Sequence, residues 1–182
     1  MKSMSYETKG MLFGLIGIFA FGLTLPATKI VLPYLDPVFI GLGRAVLAAV
    51  FAAIFLIIFP QKIPSKIQFL QLALVALGVV IGFPLFSSIA MVSLPASHGV
   101  IVFGILPLLT AFIGMLFGHE TPDISFWMVS IFGSVLVLCY AFLQSDGGFQ
   151  FADLALLMAT ISAAIGYAMG AMLTKSLGGW QT

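Results

Sequence analysis

Six stretches of about twenty residues, each nearly free of charged side chains, occupy almost the whole of this 182-residue chain. A bilayer core holds no water to bond a bare peptide group, so a segment of that length and composition is predicted to cross it as a helix. The stretches fall at residues 10–32, 38–59, 68–91, 98–117, 124–143 and 153–174. The expected fold class is all-α: a polytopic integral membrane protein with six transmembrane helices in contact with the lipid bilayer. The connectors at 33–37, 60–66, 92–95, 118–123 and 144–150 are short and rich in Pro, Gly and Asp, as helix ends require, and none can house another domain.

Composition narrows the partners. Only 7% of residues are charged and 62% are hydrophobic, more apolar surface than a soluble domain of this size can hide. A net charge of +1 with dispersed Lys and Arg argues for no nucleic acid partner. Cys139 is the single cysteine and cannot form an intramolecular disulfide, and the chain has no Asn and hence no glycosylation sequon. Lys2 and Lys9 before an apolar run resemble a secretory leader. The apolar pattern continues through Val31 and five more spans follow, so an uncleaved first helix is expected.

Orientation follows from the basic residues of short loops. Lys2, Lys9, Lys62, Lys66 and Lys175 fall on one side, and the opposite loops contain Asp36 and Asp146 but no Lys or Arg. The first side is expected to be the cytoplasm, with both the N-terminus and residue 182 on it.

Polar residues inside the spans are the candidate functional groups. Lys29 lies about one turn from the outer end of span 1, where its stem can run along apolar surface and its ammonium reach the interface. Arg44 lies about two turns into span 2, where a charge is more costly. It either pairs with Asp36 or faces an anionic group in a wet cavity. His98 opens span 4 on the same outer side, so Lys29, Arg44 and His98 together suggest one basic vestibule. Hydroxyls at Thr24, Thr28, Ser87, Ser88, Thr110, Ser130, Ser134, Tyr140, Thr160, Ser162 and Tyr167 either bond a ligand or return to their own or a neighbouring helix. No carboxylate lies deep in any span, so a proton relay through a midplane acid is not expected.

Pro26, Pro84 and Pro107 sit inside spans 1, 3 and 4 and are the helix-kink candidates, since each removes a backbone donor. Gly-x-x-x-Gly recurs at Gly10 and Gly14, Gly78 and Gly82, Gly114 and Gly118, and Gly166 and Gly170, a pattern that favours close helix packing. Enzymatic chemistry is not expected. His119 and Glu120 are adjacent in a loop rather than spaced as metal ligands, and neither histidine has an evident serine to activate. No metal and no cofactor are expected.

Three segments carry a family resemblance. FGLTLPATKIVL at 21–32 with FIGLGRAVLAAV at 39–50 is similar to a first helix ending in Lys and a second opening around an Arg. ASHGVIVFGILPLLTAFIGMLFGHE at 96–120 is similar to a fourth helix with a mid-helix proline, here Pro107, followed by a Glu, here Glu120. FADLALLMATISAAIGYAMGAMLTKSLGGWQT at 151–182 is similar to the opening helix of a second repeat. Together they resemble the EamA-type transporters of the drug/metabolite transporter superfamily.

The resemblance implies ten helices in two inverted repeats of five. Residues 1–150 would then be the first repeat, and 151–182 the start of a second, truncated one. Five helices before residue 151 force a second copy to enter the membrane from the opposite side. An offset of 144 residues matches Ala20 with Ala164, Gly22 with Gly166 and Ala27 with Ala171. The resemblance also implies an exporter in a bacterial or archaeal plasma membrane that moves a small-molecule substrate, an amino acid or related metabolite, by alternating access. Substrate-pathway candidates are Lys29, Arg44, His98 and Tyr167, with spans 1, 3, 4 and 6 forming the wall. The alternative is a non-transporting six-helix scaffold or subunit, with self-association or a partner supplying the missing helices.

Overall fold

The structure, a computed structural model, describes residues 6–59, 61, 63–118, 122–144 and 150–182. Lys2, Lys62, His119, Glu120 and Asp146, named above, lie outside the described residues, as do the side chains of Glu7 and Lys9. Among the described residues every regular element is helical. Span 1 comprises α1 (Tyr6–Gly22) and α2 (Thr24–Val31), and span 2 is α3 (Pro37–Ile58). Span 3 comprises α4 (Lys66–Val75), a π-helical segment (Ala76–Gly82) and α5 (Phe83–Ser93). Span 4 comprises α6 (Ala96–Phe103) and α7 (Leu106–Gly118), span 5 is α8 (Ile124–Gln144) and span 6 is α9 (Phe151–Leu177).

Gly10–Val31, Pro37–Ile58, Lys66–Ser93, Ala96–Gly118 and Phe151–Leu177 are each long and apolar enough to cross a membrane. At about 1.5 Å per residue they exceed a hydrocarbon core of about 30 Å. In span 5 the apolar stretch Ile124–Tyr140 is shorter, within a 21-residue helix of about the same reach. The protein is thus all-α and polytopic, as the charge-free stretches predict.

Helix ends are set by local chemistry. Asp36 accepts from the amides of Val38 (2.8 Å) and Phe39 (3.2 Å) ahead of Pro37, so an N-cap and a first-turn proline start α3 together. Ser65 and Gln68 form a capping box at α4, and Gln150 and Asp153 form another at α9.

Each in-span proline stands just after an interruption. Span 1 breaks at Leu23 before Pro26, the π segment ends at Gly82 before Pro84, and a tight turn at Gly104 and Ile105 precedes Pro107. The cause is common: the pyrrolidine ring has no N–H for the preceding turn and crowds its carbonyl. In span 3 the backbone responds by widening, and the amide of Phe83 donates to the Gly78 carbonyl five residues back.

The core is organised around α9, which packs on α5, α7, the π segment and α4. Its buried face consists mostly of small residues: Ala152, Ala155, Ala159, Ala163, Ala164, Gly166 and Ala168. Small residues let helix backbones approach closely, the main source of packing energy where lipid removes the hydrophobic drive between helices. Gly78 faces Ser162 and Gly166 so closely that a Cβ on it would lie 2.5 Å from the Ser162 carbonyl oxygen. On the other side of span 3, α3 packs on α5, with Gly41 against Pro84 and Leu85.

Candidate functional site

An open-sided cavity of about 420 Å³ lies where span 1 meets spans 4 and 6. Gly14, Gly17, Ile18 and Phe21 of α1 form one wall, with Leu106 of α7 and Tyr167 of α9 opposite. Gly14 and Gly17 have no side chain to fill it, and a Cβ on either would meet nothing within 4 Å. The volume is that of a small organic solute site, and its lining is apolar apart from one phenol.

Behind this wall runs a chain of aromatic contacts. Phe21 meets Tyr167 edge-on at 6.4 Å between ring centroids and lies 5.3 Å from Phe83, which in turn lies 5.2 Å from Phe103. The rings join spans 1, 3, 4 and 6. Phe83, two residues after the π segment's last valine-isoleucine step and directly before Pro84, is brought to the bundle centre by the widened turn, where it is 3% exposed. Arg44 of α3 approaches from the other side, its guanidinium carbon 6.0 Å from the Phe83 centroid, within cation–π range. Its Nη2 is buried and has no hydrogen-bond partner.

The other two residues expected at the basic vestibule are engaged. Lys29 Nζ donates to the carbonyls of Met91 (2.7 Å) and Leu94 (3.0 Å), which close the end of α5. Its ammonium therefore turns onto a neighbouring helix terminus instead of standing free at the interface, because those carbonyls have no amide of their own and carry the negative end of the helix dipole. His98 Nε2 lies 2.8 Å from Asp153 Oδ1, joining the start of span 4 to the start of span 6. Asp153 Oδ2 also accepts from the Gln150 amide at 2.8 Å. Asp36 caps α3 and makes no ion pair with Arg44. Of the two readings of Arg44, the pairing with Asp36 gives way because the cap uses the carboxylate locally.

Of the four expected pathway residues, Tyr167 lines the cavity and Arg44 stands two ring contacts away from it. Lys29 and His98 bond within the bundle, near the end where α5 stops and α6 begins. Three residues that matter here were absent from the expected set: Phe21, Phe83 and Asp153. The aromatics are hard to single out among eighteen Phe. Asp153 carried a usable signal, since the topology puts it on the same side as His98. Among the hydroxyls, Thr28, Ser87 and Thr160 return to carbonyls of their own helix, whereas the Ser88 hydroxyl is buried without a partner. No group of three potential metal ligands occurs among the described residues.

Apolar spans around a small-residue core, a cavity beside the last of them and few internal charges define a polytopic α-helical membrane protein. The chain belongs to the EamA-like transporter family, whose profile matches residues 8–143. It is similar to the uncharacterized transporter YdeK of Bacillus subtilis (strain 168), with 40% identity over 178 residues. That match covers 98% of this chain and 62% of the relative, so the chain spans under two thirds of the length of the curated protein it resembles. No solved structure matches it.

Proposed function

We propose that this protein forms the substrate-binding part of a carrier that moves small organic metabolites out of the cytoplasm by alternating access. The observation that carries the reading is the cavity beside Phe21 and Tyr167, placed between spans of the first five-helix unit and α9. Residues 1–150 act as one repeat and 151–182 open a second, inverted one, so this cavity lies at the repeat interface, where carriers of this architecture bind their cargo. The interrupted spans 1, 3 and 4 all contribute to the aromatic cluster. Broken helices suit a site that must open first to one side and then to the other.

The N-terminus is assigned to the cytoplasm and the protein to a bacterial or archaeal plasma membrane. Lys66 and Lys175 support the orientation: α4 begins where α9 ends, as the Gln68 Nε2 bond to Ser176 Oγ at 3.3 Å indicates, so both lysines lie at one end of the bundle. The His98–Asp153 pair lies at the other end and holds it closed between spans 4 and 6. The test is uptake and release of labelled metabolites, amino acids included, by proteoliposomes holding the full-length protein. Saturable flux that Tyr167→Ala diminishes supports the reading, and a folded protein that moves none of them overturns it.

A further inference from the structure

We infer that Arg44 Nη2 is an unfilled anion-recognition point, and that the solute it serves is an organic monocarboxylate with a planar or apolar body. The inference rests on the transport reading above and narrows its substrate class. A guanidinium inside a membrane span is costly to place there, and the cost falls when an anion shares the site. Arg44 has none. Its first residue on the same helix with a carboxylate, Asp36, is spent on the amides of Val38 and Phe39, and Asp153 is spent on His98 and Gln150. Asp123 stands before α8, at the opposite end of the bundle from the loop that starts α3. Arg44 has one strong neighbour, the Phe83 ring, which satisfies the charge partly and the N–H groups not at all.

The surroundings fix the rest of the ligand. From the cavity the contact chain runs Phe21, Phe83, Arg44, so an anionic head reaches the guanidinium when those two rings part, while its body stays against Phe21 and Tyr167. An arginine fork suits a carboxylate by geometry as well as charge. Among the described residues no acidic side chain lines the cavity to receive an ammonium group. A net anion therefore fits this site better than a cation of similar shape.

The experiment compares matched pairs on the full-length protein in detergent: benzoate against benzamide, and phenylacetate against phenylacetamide, read by thermal unfolding across ligand concentrations. The carboxylates are expected to raise the melting temperature at concentrations where the amides do not, and Arg44→Gln is expected to weaken their apparent Kd about tenfold or more. Arg44→Lys keeps the charge and should retain part of the preference. Equal shifts from acid and amide, no carboxylate-dependent shift at all, or an unchanged preference in Arg44→Gln would each overturn the inference. The wild-type comparison decides even if Arg44→Gln does not fold. Transport separates the two proposals: flux of neutral solutes with no preference for carboxylates sinks this inference alone, whereas carboxylate binding through Arg44 without any flux sinks the carrier reading alone.

Discussion

Span 6 and span 1 have similar length and both are strongly apolar, yet 44% of the apolar window of span 6 is buried in the bundle against 6% for span 1. The difference lies in residue size rather than hydropathy. Span 6 turns Ala and Gly inward at helical spacing and packs on spans 3 and 4, whereas span 1 presents Met11, Phe13, Ile16 and Phe19 outward. A bulky apolar residue is content in lipid, so hydrophobicity alone cannot say which helix is central. Small residues can, because they are worth little to lipid and much to a close crossing. Span 2, also 6% buried, follows span 1: it packs on α5, but Gly41 is its only fully buried residue among those described.

The glycines offer the sharpest way to break this contrast. Gly78 and Gly10 each begin a Gly-x-x-x-Gly pair, but only Gly78 faces backbone. In Gly78→Ala the new methyl meets the Ser162 carbonyl at 2.5 Å, and neither helix can yield without separating from the other. A loss of about 2 kcal/mol or more is expected, read as reversible unfolding in bicelles. Gly10→Ala adds a methyl to open space and should change stability by about 0.5 kcal/mol or less. Equal losses at the two sites would mean that the outward face of span 1 is packed after all.

The His98–Asp153 pair tests whether span 6 is central through packing alone. Its side chains are 12% and 15% exposed, dry enough for the contact to count. A double-mutant cycle with Ala should return a coupling of about 1 kcal/mol or more, and zero coupling would make the pair an incidental contact. Asp153→Ala should cost more than His98→Ala, since it also leaves the Gln150 amide without its acceptor. Lys29→Met comes next, at about 1 to 2 kcal/mol, because it strips a charged donor from the Met91 and Leu94 carbonyls. Lys29→Arg should recover part of that stability, and a Lys29→Met protein as stable as wild type would show that the α5 terminus needs no partner.

The spans were legible because charge is excluded from a bilayer regardless of how helices pack, so residues 38–59 and α3 agree to within a residue at each end. The glycine pairs were legible as a class but not individually: nothing in the sequence separates Gly10 from Gly78. Pro84 marked the irregular turn of span 3, but a missing donor does not say whether the backbone kinks, tightens or widens. The lysine was harder still. Lys29 at a helix end reads as an interfacial charge, and its true acceptors are carbonyls more than sixty residues later, which any sequence can supply and no side chain advertises. His98 and Asp153 could have been matched by topology, since both sit at the starts of even-numbered spans and hence at one end of the bundle. The cavity was the least legible of all, because it is made partly of what Gly14 and Gly17 lack.

Asp36 carries the smallest expected loss among the hydrogen-bonding side chains and speaks for the periphery. Span 2 packs on α5 but buries only Gly41 among its residues, so its N-terminal end is fixed locally, and the structure supplies an aspartate N-cap followed by a proline. Asp36→Ala should cost about 1 kcal/mol and show itself mainly as faster hydrogen exchange at the Val38 and Phe39 amides, with α9 unaffected. Asp36→Asn keeps an acceptor of the same shape and should recover most of the protection while removing the charge. If Asn fails where Asp succeeds, the carboxylate is acting at a distance on the Arg44 guanidinium further along α3, and the two roles separated by the geometry would have to be joined again. If Asn succeeds, capping is a short-range matter of one oxygen, and span 2 is a helix held at its end by its own sequence while span 6 is held along its length by its neighbours.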